Sequence, residues 1–203
     1  MSFITILSFI ALLFSIVLHE IAHGYAARFL GDPTAENEGR LTINPLSHID
    51  VFGSILIPLA LTLSGAPAFG WAKPVPYNPS LFRKWHRFGH IFVAFVGPAT
   101  NIALAIIFSL IAWALALWGT PSLQIFYTAC QIMVIINIAL TLFNLFPLPP
   151  LDGSKIWTLL PGRATSVLWQ IERYWFIYFA IYAFFIWPAL SPLVLKFASL
   201  LLP

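Results

Sequence analysis

Long uncharged runs alternate with short polar breaks along this chain. Residues 3–18 contain no Asp, Glu, Lys or Arg. About 20 apolar residues suffice to cross the hydrocarbon of a bilayer. The first run predicts a helix over Phe3–Leu30, stopped by Gly31-Asp32-Pro33, a helix-ending glycine followed by a breaker. A polar stretch over 32–50 follows, and partial alternation across Gly39-Arg40-Leu41-Thr42-Ile43-Asn44 predicts a short β-hairpin. The run 51–64 is apolar but short and contains Pro58, so it re-enters, with a full crossing as the alternative. Long helices are predicted over 88–118 and 122–146, separated by Gly119-Thr120-Pro121, and a further one over 171–187. Between them, 147–153 is a Pro-rich polar break, and an apolar tail over 188–203 is interrupted by Lys196. The pattern predicts an all-α integral membrane bundle of about four to six transmembrane or re-entrant helices, with a β-hairpin or re-entrant region after the first helix.

Composition supports this. Only 8% of the residues are charged and 60% are hydrophobic, whereas a soluble domain carries about 25% charged residues. The net charge of +3 is small and its basic residues sit in loops, which indicates membrane orientation and not nucleic acid. Cys130 is the only cysteine, which excludes an internal disulfide and marks a packing residue. The first segment lacks the basic start of a signal peptide and is expected to stay uncleaved. If 51–64 dips in and returns, Arg28, Arg40, Lys73, Arg83, Lys84, Arg87, Lys155, Arg163 and Arg173 all fall on the inner side, while the Gly119 loop has no charge.

The chemistry lies inside the first apolar run. His19-Glu20-Ile21-Ala22-His23 has the H-E-x-x-H spacing. On a helix, positions four apart share a face, so two imidazoles can grip one metal ion while the carboxylate between them reaches a water. His19 precedes Arg28 by nine residues, about 14 Å along a helix axis. Ionisable groups at that depth are costly, which argues against Glu20 as a mere packing partner of a histidine. A catalytic zinc needs a third ligand. Asp152 is the candidate, in a break that can line a watery cavity; capping of the turn 153–157 is its other reading.

Three motifs in order carry a resemblance: His19 to His23, then Gly97-Pro98-Ala99-Thr100-Asn101, then Asn144-Leu145-Phe146-Pro147-Leu148-Pro149-Pro150-Leu151-Asp152-Gly153. The chain resembles the site-2 protease family of intramembrane zinc metalloproteases over a catalytic core of about 8–160, with C-terminal helices over about 165–203. Asn44-Pro45-Leu46-Ser47-His48-Ile49-Asp50 points to a minimal subgroup without PDZ or CBS domains. The resemblance implies one membrane-embedded domain over 1–203 that binds one Zn2+ through His19, His23 and Asp152, with Glu20 as general base. It implies transmembrane proteins as substrates, the lipid bilayer as surroundings, and a multi-pass plasma-membrane protein with its site nearer the cytoplasm. It places the Gly97 motif at the opening of a core helix. Asn144 binds the substrate backbone or oxyanion, or else makes an interhelical hydrogen bond. Asn101 and Asn137 are expected to be structural. His48 and Asp50 line a water entrance or cap a local turn. His86 and His90 are four apart, but flanking cations disfavour a second metal pair, so they are interfacial. The alternative function is a membrane metal-ion transporter or channel using the same His and Asp site.

Overall fold

In lipid every backbone N–H and C=O needs a partner within the protein, so spanning segments are helical. The computed structural model describes residues 3–64, 71–85, 88–159 and 173–203. Three of its helices are long and apolar enough to cross a membrane: α1 (Phe3–Leu30), then α4 (Gly89–Trp118), then Pro121–Asn144, which contains α5 (Gln124–Asn144). At 28 residues α1 is about 42 Å long, more than the roughly 30 Å hydrocarbon core. Gly31 and Gly119, both at positive φ, end α1 and α4.

Polarity is inverted relative to a water-soluble protein. Phe9, Phe14, Ile106 and Leu110 are exposed on the bundle surface, while Ser15, Asn101, Asn137 and Thr141 are buried. α4 packs on both α1 and α5. The buried positions between them include Ala11, Ala27, Gly97, Ala105 and Ala112, small residues that let helix backbones approach closely.

The expected β-hairpin is absent. Among the described residues there is no strand, and 39–44 is a bent connection after the short helix α2 (Thr34–Asn37). Local side-chain bonds replace a ladder there. Thr42 Oγ1 accepts from Asn44 N–H, Asn44 caps a 3-10 turn at Pro45–His48, and His48 Nε2–H donates to the Thr42 carbonyl at 2.9 Å. The run after it begins as a π-helical turn, Val51–Leu56, and continues as α3 (Ile57–Leu63). Its 13 helical residues extend only about 20 Å, too short to cross as a helix.

Residues 71–78 have no regular secondary structure, and side chains satisfy much of their backbone. Arg40 donates to the carbonyls of Lys73 and Pro74, Ser54 Oγ donates to that of Trp71, and Asp32 accepts from Asn78 N–H. After α5 the chain turns through the 3-10 helix Asp152–Leu159. The helix expected over 171–187 is regular only as α6 (Trp175–Ile181). A π-helical turn at Tyr182–Ile186, α7 (Trp187–Leu190) and α8 (Pro192–Leu201) follow. The span Trp175–Leu190 meets Pro192–Leu201 at 49°. Phe143, Phe146, Phe179, Tyr182 and Trp187 pack this unit onto the end of α5. The tail returns to α4, where Ser109 Oγ and Trp113 Nε1 both donate to the Leu201 carbonyl, at 2.6 and 2.8 Å. Residues 171–172, His86, Arg87 and Arg163 lie outside the described residues.

The chain ends of the three spans place the basic residues together. The carbonyl of Leu30, at the end of α1, accepts from Arg83 N–H, and Lys84 lies over the Phe29 ring. The uncharged Gly119 turn joins the opposite ends of α4 and α5. In a Cys130→Ser background, Glu36→Cys and Thr120→Cys should react with a membrane-impermeant maleimide from opposite faces of sealed vesicles. Labelling of both from one face contradicts this arrangement.

Candidate metal centre

The i, i+4 spacing in α1 turns His19 and His23 to the same buried side, with ring centroids 4.6 Å apart. Each ring is held through Nδ1. His23 Nδ1–H donates to the Val93 carbonyl at 2.7 Å, and His19 Nδ1 lies 2.6 Å from Asn101 Oδ1. A carbonyl only accepts, so His23 carries a proton on Nδ1, and in the neutral ring the lone pair is then on Nε2. The same holds for His19 with Asn101 Oδ1 as acceptor. These two Nε2 atoms are 3.0 Å apart.

Asp152, from a stretch 129 residues beyond His23, completes the set. Its Oδ2 lies 3.0 Å from His19 Nε2 and 3.3 Å from His23 Nε2. That oxygen is buried and has no hydrogen-bond partner. With both rings neutral, two lone pairs and a carboxylate oxygen meet with no proton between them. A proton relieves one of these contacts; a divalent cation relieves all three. Ligands at about 2.0–2.1 Å from a tetrahedral ion stand roughly 3.3 Å apart, close to the triangle seen here. The residues present therefore fit a metal ion, and they form the one such cluster among the described residues. The carboxylate of Asp152 faces the histidines, the geometry that a ligand role requires.

Two glycines permit this convergence. A Cβ on Gly97 would collide with both imidazoles, so the glycine lets α4 lie against them. The Gly97 motif therefore does not open α4, as the resemblance implied; it lies more than two turns inside, with Pro98 within the helix. A Cβ on Gly153 would meet the backbone of Leu145 and Phe146, so the chain could not fold back and deliver Asp152.

Glu20 lines the same cleft, of about 480 Å3, as His19, His23 and Asp152. Its Oε2 accepts from Val75 N–H at 2.9 Å. Asn144 also lines the cleft, and its Nδ2 donates to the Leu140 carbonyl of its own helix at 3.0 Å, not to another helix. Tyr77 lies on the cleft wall, with its hydroxyl 3.4 Å from His90 Nδ1. Burial, and then the negative charge of Asp152, push its phenol up to about 12, so it stays protonated at neutral pH. Ile16, Trp71, Leu140, Phe143, Trp175 and Phe179 make the walls apolar.

Other residues singled out from the sequence lie elsewhere. His48 bonds locally and Asp50 Oδ1 caps the following π-helical turn through Gly53 N–H, as their capping reading expects. His90 packs on Tyr77 and Phe82. Sequence reasoning missed the Val75 amide, Tyr77 and the packing role of Gly97. The alternation Pro74-Val75-Pro76 held the one available signal, since it leaves a single N–H donor among those three residues.

Comparison with known proteins gives a consistent outcome. A model of Peptidase family M50 matches residues 119–186, which include Asp152 and begin well after His23. "Putative zinc metalloprotease YwhC" of Bacillus subtilis is 38% identical over 193 residues, 90% of this chain and 84% of that protein. "Putative zinc metalloprotease Rip2" of Mycolicibacterium smegmatis is 30% identical over 142 residues, 70% of this chain and 52% of that protein. "Putative zinc metalloprotease Rip3" of Mycobacterium tuberculosis is 30% identical over 147 residues, 72% of this chain and 29% of that protein. No solved structure matches the chain.

Gly97→Ala should displace both imidazoles while leaving α4 helical. Elemental analysis of the purified variant should show metal per chain reduced about tenfold or more, at unchanged helical circular dichroism.

Proposed function

The chain belongs to peptidase family M50, and from that membership we propose that it is an intramembrane zinc metalloprotease of the site-2 type, cutting peptide bonds in or near transmembrane segments of other membrane proteins. One observation carries the reading: three ligand atoms from two distant stretches meet within 3.3 Å of one another beside Glu20 in an apolar cleft. His19, His23 and Asp152 would hold one Zn2+, for which two imidazoles and a carboxylate are a suitable set. Bound there, zinc lowers the pKa of a coordinated water toward neutrality and polarises the scissile carbonyl.

The remaining work belongs to the chain. Glu20 takes a proton from the attacking water and later passes one to the leaving amine nitrogen. The Val75 N–H fixes Oε2, which sets the carboxylate plane and leaves Oε1 for the proton. Asn144 uses its other amide proton for the substrate backbone or the developing oxyanion. A substrate helix hides its carbonyls in internal hydrogen bonds, so it unwinds before cleavage. The unwound stretch lies along residues 73–77, beside Glu20; Pro74 and Pro76 have no N–H and Glu20 holds that of Val75, so pairing there draws on the remaining backbone groups at the end of the segment nearer Tyr77. The proposed setting is the plasma membrane, with the basic ends of the helices and the site nearer the cytoplasm. Residues 1–203 act as one metalloprotease domain.

A metal transporter or channel has the same ligands but needs ligating groups on both sides of the midplane. Among the described residues, the buried polar side chains toward the Gly119 end include Ser15, Asn101, Asn137 and Ser109, which are amides and hydroxyls, and residues 88–146 contain no Asp or Glu. This favours a site open to one side.

Glu20→Gln should keep its zinc and lose cleavage of a single-span reporter by roughly a hundred- to ten-thousand-fold. Asp152→Asn should lose zinc and cleavage together. A Glu20→Gln protein that still cuts excludes the proposed base. Chelation should abolish cleavage by the parent protein and stoichiometric Zn2+ should restore it; activity that survives chelation excludes the metal reading.

A further inference from the structure

A line of polar side chains leaves the metal centre and crosses the bundle away from the cleft. His19 Nδ1 meets Asn101 Oδ1 at 2.6 Å. Asn101 Nδ2–H donates to Asn137 Oδ1 at 2.8 Å. Asn137 Nδ2 donates to Ser15 Oγ at 2.9 Å and to the Met133 carbonyl at 2.8 Å. Ser15, Asn101 and Asn137 are fully buried. The line joins α1, α4 and α5 and returns to α1 one turn before His19.

The direction of this line is forced from its far end. Ser15 Oγ can donate or accept, so it decides nothing. The Met133 carbonyl can only accept, which turns Asn137 Nδ2 toward it. Asn137 Oδ1 is then left for Asn101, whose Nδ2 must donate, and Asn101 Oδ1 is left for His19. An oxygen facing Nδ1 requires the proton there. In the neutral ring Nε2, the atom facing Asp152 and His23, then keeps its lone pair. A flipped Asn101 amide would offer an N–H to Nδ1 and move the ring proton to Nε2, where it blocks a metal.

We infer that Asn137 is a positioning residue for the metal centre: through Asn101 it fixes His19 in the tautomer that leaves Nε2 free. Asn137 touches neither the ligand atoms nor the cleft, and it acts only through Asn101. The inference rests on the proposed role of His19 as a ligand. It assigns to α5 a contribution to metal affinity separate from its contribution to packing.

The experiment uses the full chain in detergent micelles, with zinc affinity read by competition against a chromophoric chelator. Asn137→Leu should weaken zinc binding about ten- to a hundredfold. Thr141→Val, which alters a buried polar residue one turn along α5 whose hydroxyl donates to the backbone carbonyl of Asn137 and not to the side-chain line, should leave affinity within about twofold. Equal affinity of Asn137→Leu and the parent overturns the inference, and so does an equal loss in Thr141→Val. The parent also answers alone, should Asn137→Leu not fold. In 15N-histidine-labelled protein, assigned with a His19→Asn variant, Nδ1 of His19 should show a one-bond coupling to a proton. An unprotonated Nδ1 overturns the inference. A parent protein that binds no zinc instead overturns the metalloprotease reading itself.

Discussion

Three ligand atoms from distant parts of the chain converge at the site around which this bundle is built. His19 Nε2, His23 Nε2 and Asp152 Oδ2 all point inward. Inside an apolar bundle such groups interact at reduced dielectric, so their placement matters more than it would in water. The surrounding structure is arranged to hold the three in place. Val93 and Asn101 secure the two rings from behind. Gly97 removes the side chain that would separate α4 from them, and Gly153 lets the Pro-rich turn fold back far enough for Asp152 to arrive.

A second constraint is the solvent. Irregular backbone beside a membrane site must find partners within the protein. Residues 71–78 meet this demand with side chains: Arg40, Ser54, Glu20 and Asp32 each bind backbone groups of that segment. One of these partners is the proposed general base. The segment therefore supports the site chemically as well as covering it. The same demand explains the end of the chain, where Ser109 and Trp113 bind the carbonyl that α8 leaves free.

The two levels of reading agree where the signal is local and strong. Uncharged length located α1, α4 and α5 to within a few residues, and the spacing of His19 and His23 put both on one face before any fold was known. They part where side chains replace backbone pairing. The alternation over 39–44 resembles a strand, yet Pro45, the Thr42 hydroxyl and His48 draw those backbone groups into local turns. Gly97 could be seen as part of a motif, but its reason is the position of two rings on another helix. Val75 holds Glu20 through its backbone amide, so its side-chain identity gave no hint of that bond.

The amino-acid order by itself pointed to a bundle of long apolar helices, put His19 and His23 on one face of the first of them, and singled out Asp152 as the candidate acid to join them. Hydrophobic length and helical periodicity are properties of neighbouring residues, so they can be read along the chain. Tertiary structure decided the rest: which nitrogen of each imidazole faces the centre, which amide holds Glu20, and how Asn137 is linked to His19 through Asn101. Those are hydrogen bonds between residues 36 to 82 positions apart. Their direction depends on acceptors such as the Val93 and Met133 carbonyls, which every sequence has and which only folding brings to a particular partner.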